Sequence, residues 1–295
     1  MKTIMILGAG YMGGGIAQVC ANAGYHVLLW DVKEELVQAG IHKIASGLDA
    51  RIAKGKETLE HKKELLERIE TVTELSEAKR ADLVLEVVVE KLEIKYNVLK
   101  QVEASCSEDT LIGTNTSYIP ITTLAECLTY PERFLGIHFF GPVPAMRLVE
   151  VIRGEKTNES TIAAVQEFVH AIGKTPVVIQ KDAPGFLVNR INAAIRMEAF
   201  RCYEEGIASI EDIDTALKLG LNHPMGPFEL NDMSGIEIGL AGLDTLYERT
   251  GEERWKVIDK ARELVEAGEL GRKTGKGWYD YTSGEKRPRP ELKKQ

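Results

Sequence analysis

The stretch GAGYMG at Gly8–Gly13 follows the apolar run Ile4–Leu7 and precedes the helical pattern GGIAQVCA at residues 14–21. This order predicts a strand, a tight turn and a helix whose free N–H groups face the phosphates of a dinucleotide. The first glycine permits the turn, the second admits a pyrophosphate, and the third lets helix and strand pack closely. An ordinary strand–turn–helix is the alternative. We predict cofactor contacts along this turn, at Gly8, Gly10, Tyr11, Met12 and Gly13.

A second apolar run, Val27–Trp30, ends in Asp31, at the distance from the glycine turn where a dinucleotide site carries an acidic residue. Such a carboxylate accepts hydrogen bonds from the adenine ribose, and it repels the additional phosphate of NADP. The sequence therefore predicts NAD as the cofactor and Asp31 as one of its ligands.

The composition excludes several classes of protein. The 295 residues carry 37 Lys and Arg against 45 Asp and Glu, and a net charge of -8 argues against a general nucleic-acid surface. The N-terminus enters the first strand without the regions of a signal peptide, and no apolar run is long enough to span a bilayer. The four cysteines are widely scattered, which predicts reduced thiols and no zinc site. We expect a cytoplasmic protein with no metal and no membrane or nucleic-acid partner.

Strand-like and helical patterns alternate through the first part of the chain. A long polar stretch at 34–68 suits a pair of helices, and later helical patterns occupy 92–106 and 160–172. This alternation predicts an α/β fold, with a Rossmann-type, mostly parallel, doubly wound sheet. The strand-like runs after residue 68 are 81–89, 110–113, 134–140, 148–152 and 176–179.

The pattern changes near Asp182, where Pro and Gly precede sustained helical spacing with no further convincing strand. We therefore predict two domains: an NAD-binding domain at 1–183 and an all-helical domain for substrate binding and dimerisation at 184–295. The charged, Pro-containing end at 284–295 is expected to be mobile.

The segment HFFGPVPAMRLVEVIRG places His138 at the end of one apolar strand and Glu150 inside the next. A carboxylate among apolar neighbours needs a partner, and a strand, turn and strand would bring the histidine within reach. In such a dyad the carboxylate fixes the imidazole tautomer, so that the histidine can remove a proton from an alcohol. A structural histidine with an unrelated glutamate is the alternative.

Two further polar groups are candidates for the same site. Asn115 and Ser117 end a short apolar strand, in the loop region where doubly wound sheets bind ligands, although such residues are also common in turns. Asn189 lies on the first helix of the second domain, and either an inward hydrogen-bonding role or solvation would suit it.

Seven segments, in order and at the expected spacing, resemble the L-3-hydroxyacyl-CoA dehydrogenase family, especially its single-function 3-hydroxybutyryl-CoA dehydrogenases. The likeness runs nearly end to end. The segments are GAGYMGGGIAQVCANAGY, EVVVEKLEIK, NTSYIPIT, HFFGPVPAMRLVEVIRG, KDAPGFLVNRI, EDIDTALKLGLNHPMGPFEL and GRKTGKGWYDY.

The resemblance implies a reversible, NAD-dependent oxidation of an L-3-hydroxyacyl-CoA, such as 3-hydroxybutyryl-CoA, to a 3-ketoacyl-CoA. It implies that Ser117, His138, Glu150 and Asn189 form the catalytic group, with the His–Glu dyad as general base and acid. It also implies a homodimer through the C-terminal domain and a place in fatty acid or butanoate metabolism.

The same resemblance implies several binding contacts. Glu90 and Lys95 are expected at the nicotinamide end of NAD together with Asn115 and Ser117, and Lys273 is expected to approach from the second domain. Ser117 and Asn189 would also hold the substrate. Lys54 would contact the coenzyme A phosphates, and the alternatives for that contact are Lys43, Arg51 and Lys56.

One residue departs from the family pattern. Gly141 stands where the family usually has Asn, which puts cofactor affinity or acyl preference in question. The sequence leaves two rival functions open: a dehydrogenase of a 3-hydroxy acid without coenzyme A, and a non-enzymatic, crystallin-like relative.

Overall fold

The computed structural model describes residues 1–292. The chain divides into two compact units, Met1–Ala183 and a second that begins at Pro184. The strands of the first unit are β1 (Thr3–Leu7), β2 (His26–Trp30), β3 (Ile69–Val72), β4 (Leu83–Glu86), β5 (Leu111–Thr114), β6 (Phe134–Phe139), β7 (Leu148–Ile152) and β8 (Thr175–Ile179). Its helices are α1 (Tyr11–Asn22), α2 (Glu34–Ile52), α3 (Leu59–Glu67), α4 (Leu92–Glu103), α5 (Ile121–Ala125) and α6 (Glu159–Ala171).

The eight strands form one sheet in the order β3-β2-β1-β4-β5-β6-β7-β8. All neighbouring strands are parallel except β6 and β7, which are antiparallel. The chain crosses from β3 back past β1 to β4, and ligands bind at such a switch point in open α/β sheets. The prediction of a Rossmann-type, mostly parallel, doubly wound sheet is confirmed.

The central strands are apolar throughout because helices cover both faces of the sheet. In β1, for example, every residue from Ile4 to Leu7 is fully buried, and Ile16 and Cys20 of α1 join the same core. Continuous apolar runs of this kind were the signal by which the sequence indicated strands.

Strand β3 does not carry that signal. It lies at the edge of the sheet, and only its first and last residues are buried. Glu70 in its middle pairs with Arg80, at 2.6 and 2.8 Å, so half of this short strand faces polar groups. The apolar pattern of the sequence therefore predicts no strand over these residues.

Strand β4 is shorter than the apolar run at 81–89 predicts. It ends at Glu86, whose carboxylate accepts a hydrogen bond from the Val88 amide at 2.7 Å. The chain therefore leaves the sheet at this residue and turns into α4.

The second unit is built from α7 (Val188–Glu204), α8 (Ile210–Gly220), α9 (Pro227–Ser234), α10 (Ile236–Thr250) and α11 (Asp259–Glu266). Its core contains Phe200, Phe228 and Trp278, whose ring centroids lie 4.9–5.6 Å apart. Buried Asp214 accepts the Phe228 and Glu229 amides at 2.9 and 3.0 Å and so caps α9. The prediction of a helical C-terminal domain is confirmed.

The charged end of the chain is expected to be mobile, but the structure packs it against the second unit as far as Leu292. Leu292 is buried, and Arg289 donates to the Gly277 carbonyl and to Glu269, both at 2.6 Å. Lys286 pairs with Glu229 of α9. These contacts attach the segment to the second unit, while residues 293–295 lie outside the described part of the chain. No helix within residues 1–292 combines the length and apolarity needed to cross a membrane.

Candidate active site

His138 and Glu150 are directly opposite each other on the antiparallel strands β6 and β7. The distance from His138 Nδ1 to Glu150 Oε2 is 2.8 Å, and both side chains are buried. An ionised carboxylate can only accept a hydrogen bond, so the Nδ1 position carries the proton. Nε2 is thereby left as the acceptor, which is the form that a general base requires.

Ser117 lies in the loop after β5 and faces Nε2 of that imidazole. Its Oγ is 3.1 Å from Nε2 of His138, and the hydroxyl donates because Nε2 carries no proton. Phe140 packs edge-on against the imidazole, with 4.7 Å between ring centroids. The structure thus brings three of the predicted residues, Ser117, His138 and Glu150, into one hydrogen-bonded row.

Glu90 holds the backbone of the Ser117 loop. Its Oε1 accepts hydrogen bonds from the Thr116 hydroxyl and from the Ser117 and Tyr118 amides, the last two at 3.0 and 3.1 Å. Its Oε2 lies 3.3 Å from Lys95 Nζ, and the side chain is 40% exposed. Burial raises the pKa of Glu90, but Lys95 and these donors lower it more, so the net pKa lies below its usual range. Glu90 is therefore an anion whose side chain is partly accessible.

Lys95 and Glu86 form a buried ion pair behind Glu90. Lys95 Nζ lies 2.7 and 3.0 Å from the two oxygens of Glu86, and it also donates to the Val88 carbonyl at 3.3 Å. The Lys95 side chain is 1% exposed, so it contacts Glu90 rather than open solvent. Sequence reasoning missed Glu86, since it lies inside the strand-like run predicted at 81–89.

The glycine turn has the shape that a pyrophosphate requires. A Cβ at Gly8 would lie 2.7 Å from the Val87 carbonyl oxygen, and one at Gly13 would lie 1.8 Å from the Gly8 oxygen. At Gly10, by contrast, a Cβ would meet nothing within 4 Å. Gly10 is the N-cap of α1 and offers no side-chain cap, so the first amides of the helix remain for a ligand. These residues fit the phosphates of NAD.

Asp31 and Asn115 both accept backbone amides at the carboxyl ends of strands in the sheet. Asp31 Oδ2 accepts the Ala9 amide at 2.8 Å, inside the glycine turn. Asn115 Oδ1 accepts the Phe139 amide at 2.8 Å, at the end of the strand that carries His138. Each carboxylate oxygen has a second lone pair, so Asp31 can bind a ribose hydroxyl while it holds the turn.

Tyr11 and Gly141 are close neighbours at the mouth of the turn. Tyr11 is 67% exposed, and a Cβ at Gly141 would lie 2.9 Å from its ring and 3.5 Å from Met12 Sδ. The absence of a side chain at Gly141 therefore makes room for Tyr11.

Two predicted residues belong to the second unit. Asn189 lies in the first turn of α7 and is half-buried, and Lys273 lies in a single 3-10 turn, where it contacts Glu237. The candidates for the coenzyme A phosphates are in the first unit, where all four are exposed: Lys43, Arg51, Lys54 and Lys56. Their exposure does not distinguish one from another. Within residues 1–292, no group of His, Cys, Asp and Glu is arranged to hold a metal ion.

Comparison with known proteins identifies the family of the chain. Residues 3–183 match the family model of the 3-hydroxyacyl-CoA dehydrogenase NAD binding domain, and residues 185–281 match that of the C-terminal domain. The chain is 41% identical to a probable 3-hydroxybutyryl-CoA dehydrogenase of Bacillus subtilis, over 95% of this chain and 98% of that protein. It is 40% identical to the human mitochondrial hydroxyacyl-coenzyme A dehydrogenase, over 95% and 91% of the two chains.

A solved structure is equally similar. The (S)-3-hydroxybutyryl-CoA dehydrogenase of Ralstonia eutropha superimposes with a TM-score of 0.91 and 44% identity, over 95% of this chain and 99% of that one. Both family models and full-length relatives thus agree with the likeness of the seven sequence segments. The chain belongs to the 3-hydroxyacyl-CoA dehydrogenase family.

Proposed function

We propose that this chain catalyses the reversible, NAD-dependent oxidation of an L-3-hydroxyacyl-CoA, such as 3-hydroxybutyryl-CoA, to the 3-ketoacyl-CoA. The observation that carries the proposal is the row from Ser117 through His138 to Glu150, which leaves Nε2 ready to take a proton. Family membership and the open phosphate site at Gly10 support the cofactor.

His138 is the general base. Its Nε2 removes the proton of the 3-hydroxyl, and the buried carboxylate of Glu150 stabilises the imidazolium that forms. NAD, when bound, supplies the acceptor for the hydride. In the reverse direction His138 returns the proton to the substrate oxygen.

Ser117 and Asn189 hold the substrate oxygen as it becomes a carbonyl. In this structure the Ser117 hydroxyl lies against His138 Nε2, and a substrate hydroxyl would take its place as the donor to that nitrogen. The serine is then free to donate to the substrate oxygen, a contact whose strength changes during the reaction. Asn189 would supply a second donor from the C-terminal domain.

We assign each part of the cofactor to its own group of residues. We assign the pyrophosphate to the backbone of the glycine turn, with Tyr11 and Met12 beside it, and the adenine ribose to Asp31. The nicotinamide end falls to Glu90, with Lys95 acting through it, and to Asn115 and Ser117. Lys273 would approach from the second domain.

Residues 1–183 would then bind NAD, and residues 184–295 would bind substrate and form a homodimer. The exposed apolar side chains of Ile191 on α7 and Ile238 on α10 are compatible with such a dimer. Lys54 would hold the coenzyme A phosphates. The four cysteines are free, which is consistent with a cytoplasmic protein. The pathway would be fatty acid or butanoate metabolism.

The test is the loss of NADH absorbance with purified protein and acetoacetyl-CoA. Free acetoacetate and NADPH serve as matched comparisons. Fast loss with acetoacetyl-CoA and NADH alone supports the thioester substrate, the cofactor and the role of Asp31. Equal rates with free acetoacetate would favour a 3-hydroxy acid without coenzyme A, and NADH binding without turnover would favour the non-enzymatic alternative.

A further inference from the structure

Glu86 stands at the centre of a buried polar cluster at the carboxyl edge of the sheet. It is the last residue of β4 and is fully buried, and its oxygens accept from four donor contacts. Two come from Lys95, one from the Thr114 hydroxyl at 2.7 Å and one from the Val88 amide at 2.7 Å.

The cluster continues from Glu86 to the catalytic serine. Lys95 connects Glu86 to Glu90, and Glu90 Oε1 accepts the amides of Ser117 and Tyr118. The Ser117 hydroxyl then faces His138. Each contact is a hydrogen bond or an ion pair. The residues come from four different segments: β4, α4, the loop before α4 and the loop after β5.

The charges explain why Glu86 is needed. Lys95 is buried between two carboxylates, and Glu86 holds its ammonium group by two short contacts while Glu90 holds it by one longer contact. Without the charge of Glu86, the Lys95 ammonium would pair more closely with Glu90, because a buried charge without a counter-ion is strongly destabilising. Glu90 would then shift toward Lys95, and its Oε1 would lose its alignment with the Ser117 and Tyr118 amides.

We propose that Glu86 is a positioning residue for the active site: through Lys95 it fixes Glu90, so that Oε1 holds the Ser117 loop while Oε2 remains open to the cofactor. The inference rests on the proposed role of Glu90 at the nicotinamide end. It assigns Lys95 to the support of Glu90.

The test compares Glu86→Gln with Glu103→Gln. Glu103 is a matched control, because it lies at the other end of α4 and accepts two backbone amides, from Thr129 and Tyr130 at 2.8 and 2.9 Å. Both variants lose one largely buried carboxylate that holds a loop, so a general loss of stability would appear in both.

Two readouts separate positioning from stability. In the protein without cofactor, hydrogen exchange should show loss of protection at the Ser117 and Tyr118 amides in Glu86→Gln and not in Glu103→Gln. NADH titration by fluorescence should show binding weakened about tenfold in Glu86→Gln alone, the size expected for one charge-assisted hydrogen bond.

The double variant Glu86→Gln/Lys95→Met serves if the single variant does not fold, because it replaces the ion pair with neutral side chains of similar size. It should show the same two defects, since Glu90 then has no lysine to hold it in place. Wild-type protection and NADH affinity in either folded variant would overturn the proposal. The wild-type assay with acetoacetyl-CoA tests the proposed function separately, because neither readout here requires turnover.

Discussion

His138 and Glu150 face each other across the only antiparallel pair among the sheet's neighbouring strands in residues 1–292, with 2.8 Å between Nδ1 and Oε2. Opposite residues on such a pair present their side chains on the same face of the sheet. The reversal of direction between β6 and β7 therefore places a base and its orienting carboxylate together with no other element between them.

Glu150→Gln tests the orienting role. Glutamine is similar in size, but it can donate a hydrogen bond to Nδ1 and so favour the tautomer that protonates Nε2. We expect kcat to fall by about 10²- to 10⁴-fold, as for loss of a positioned general base, with NADH affinity retained. Steady-state kinetics with acetoacetyl-CoA and fluorescence titration of NADH measure the two quantities. An unchanged kcat in a folded variant would remove Glu150 from the mechanism.

Ser117→Ala tests the hold on the substrate oxygen. The hydroxyl that faces His138 Nε2 would be lost, while the backbone amide bound to Glu90 would remain. We expect kcat to fall by about 10- to 10³-fold, within the range for one donor to a developing oxyanion, with little change in thermal stability. Ser105→Ala, beyond the end of α4, is the control. Equal kinetics in both variants would contradict the role of Ser117.

Gly141→Asn tests the pairing with Tyr11. An asparagine Cβ would press on the Tyr11 ring, which is exposed and can move aside. Combined with Tyr11→Ala, the substitution should be much better tolerated, so that the two changes are non-additive in NADH affinity by about 0.5–3 kcal/mol. Fluorescence titration of wild type, both single variants and the double variant closes the cycle. Additive effects would show that the two residues act independently.

The stability of the C-terminal domain in acid tests the lowered pKa of Glu229. Burial raises the pKa of Glu229, but Lys218, Lys286 and the Gly226 amide lower it more, to about 2. A carboxyl whose folded pKa lies below its ordinary value of 4.5 stabilises the fold above that value. That contribution is lost as the pH falls through the folded pKa.

Glu229→Gln should therefore reduce the loss of stability between about pH 4.5 and pH 2, since its unfolded chain has no carboxyl to take up a proton in that range. Urea unfolding at several pH values measures this slope. Glu248→Gln, on the exposed face of α10, should keep the wild-type slope. The same slope in Glu229→Gln as in wild type would mean that the ion pairs with Lys218 and Lys286 do not form.

Apolar continuity and glycine spacing predicted the sheet, because buried parallel strands and a phosphate turn leave local patterns. The edge strand β3 left none, since Glu70 breaks its apolar run and pairs with Arg80 from another segment. The sequence also does not predict that the end of the chain is packed, because the partners of Arg289, Glu269 and Gly277, are distant in sequence and become its neighbours only in the fold.

The sequence likewise predicts one part of the candidate site and not the other. His138 and Glu150 could be paired from the sequence because one short connection joins their strands. Glu86 could not, since its partners Lys95 and Thr114 come from a helix and from a neighbouring strand. Its only signal in the sequence is a charged residue inside the apolar run predicted at 81–89, which by itself indicates no partner.

The central claim, that His138 moves the proton while NAD binds independently of it, is tested most directly by His138→Gln. Single-turnover reduction of acetoacetyl-CoA and NADH titration are measured on the same preparation. We predict a rate lower by about 10²- to 10⁴-fold, with NADH affinity within about twofold of wild type. A near-normal rate, or a collapse of NADH binding in a folded variant, would contradict the assignment of His138 as the base.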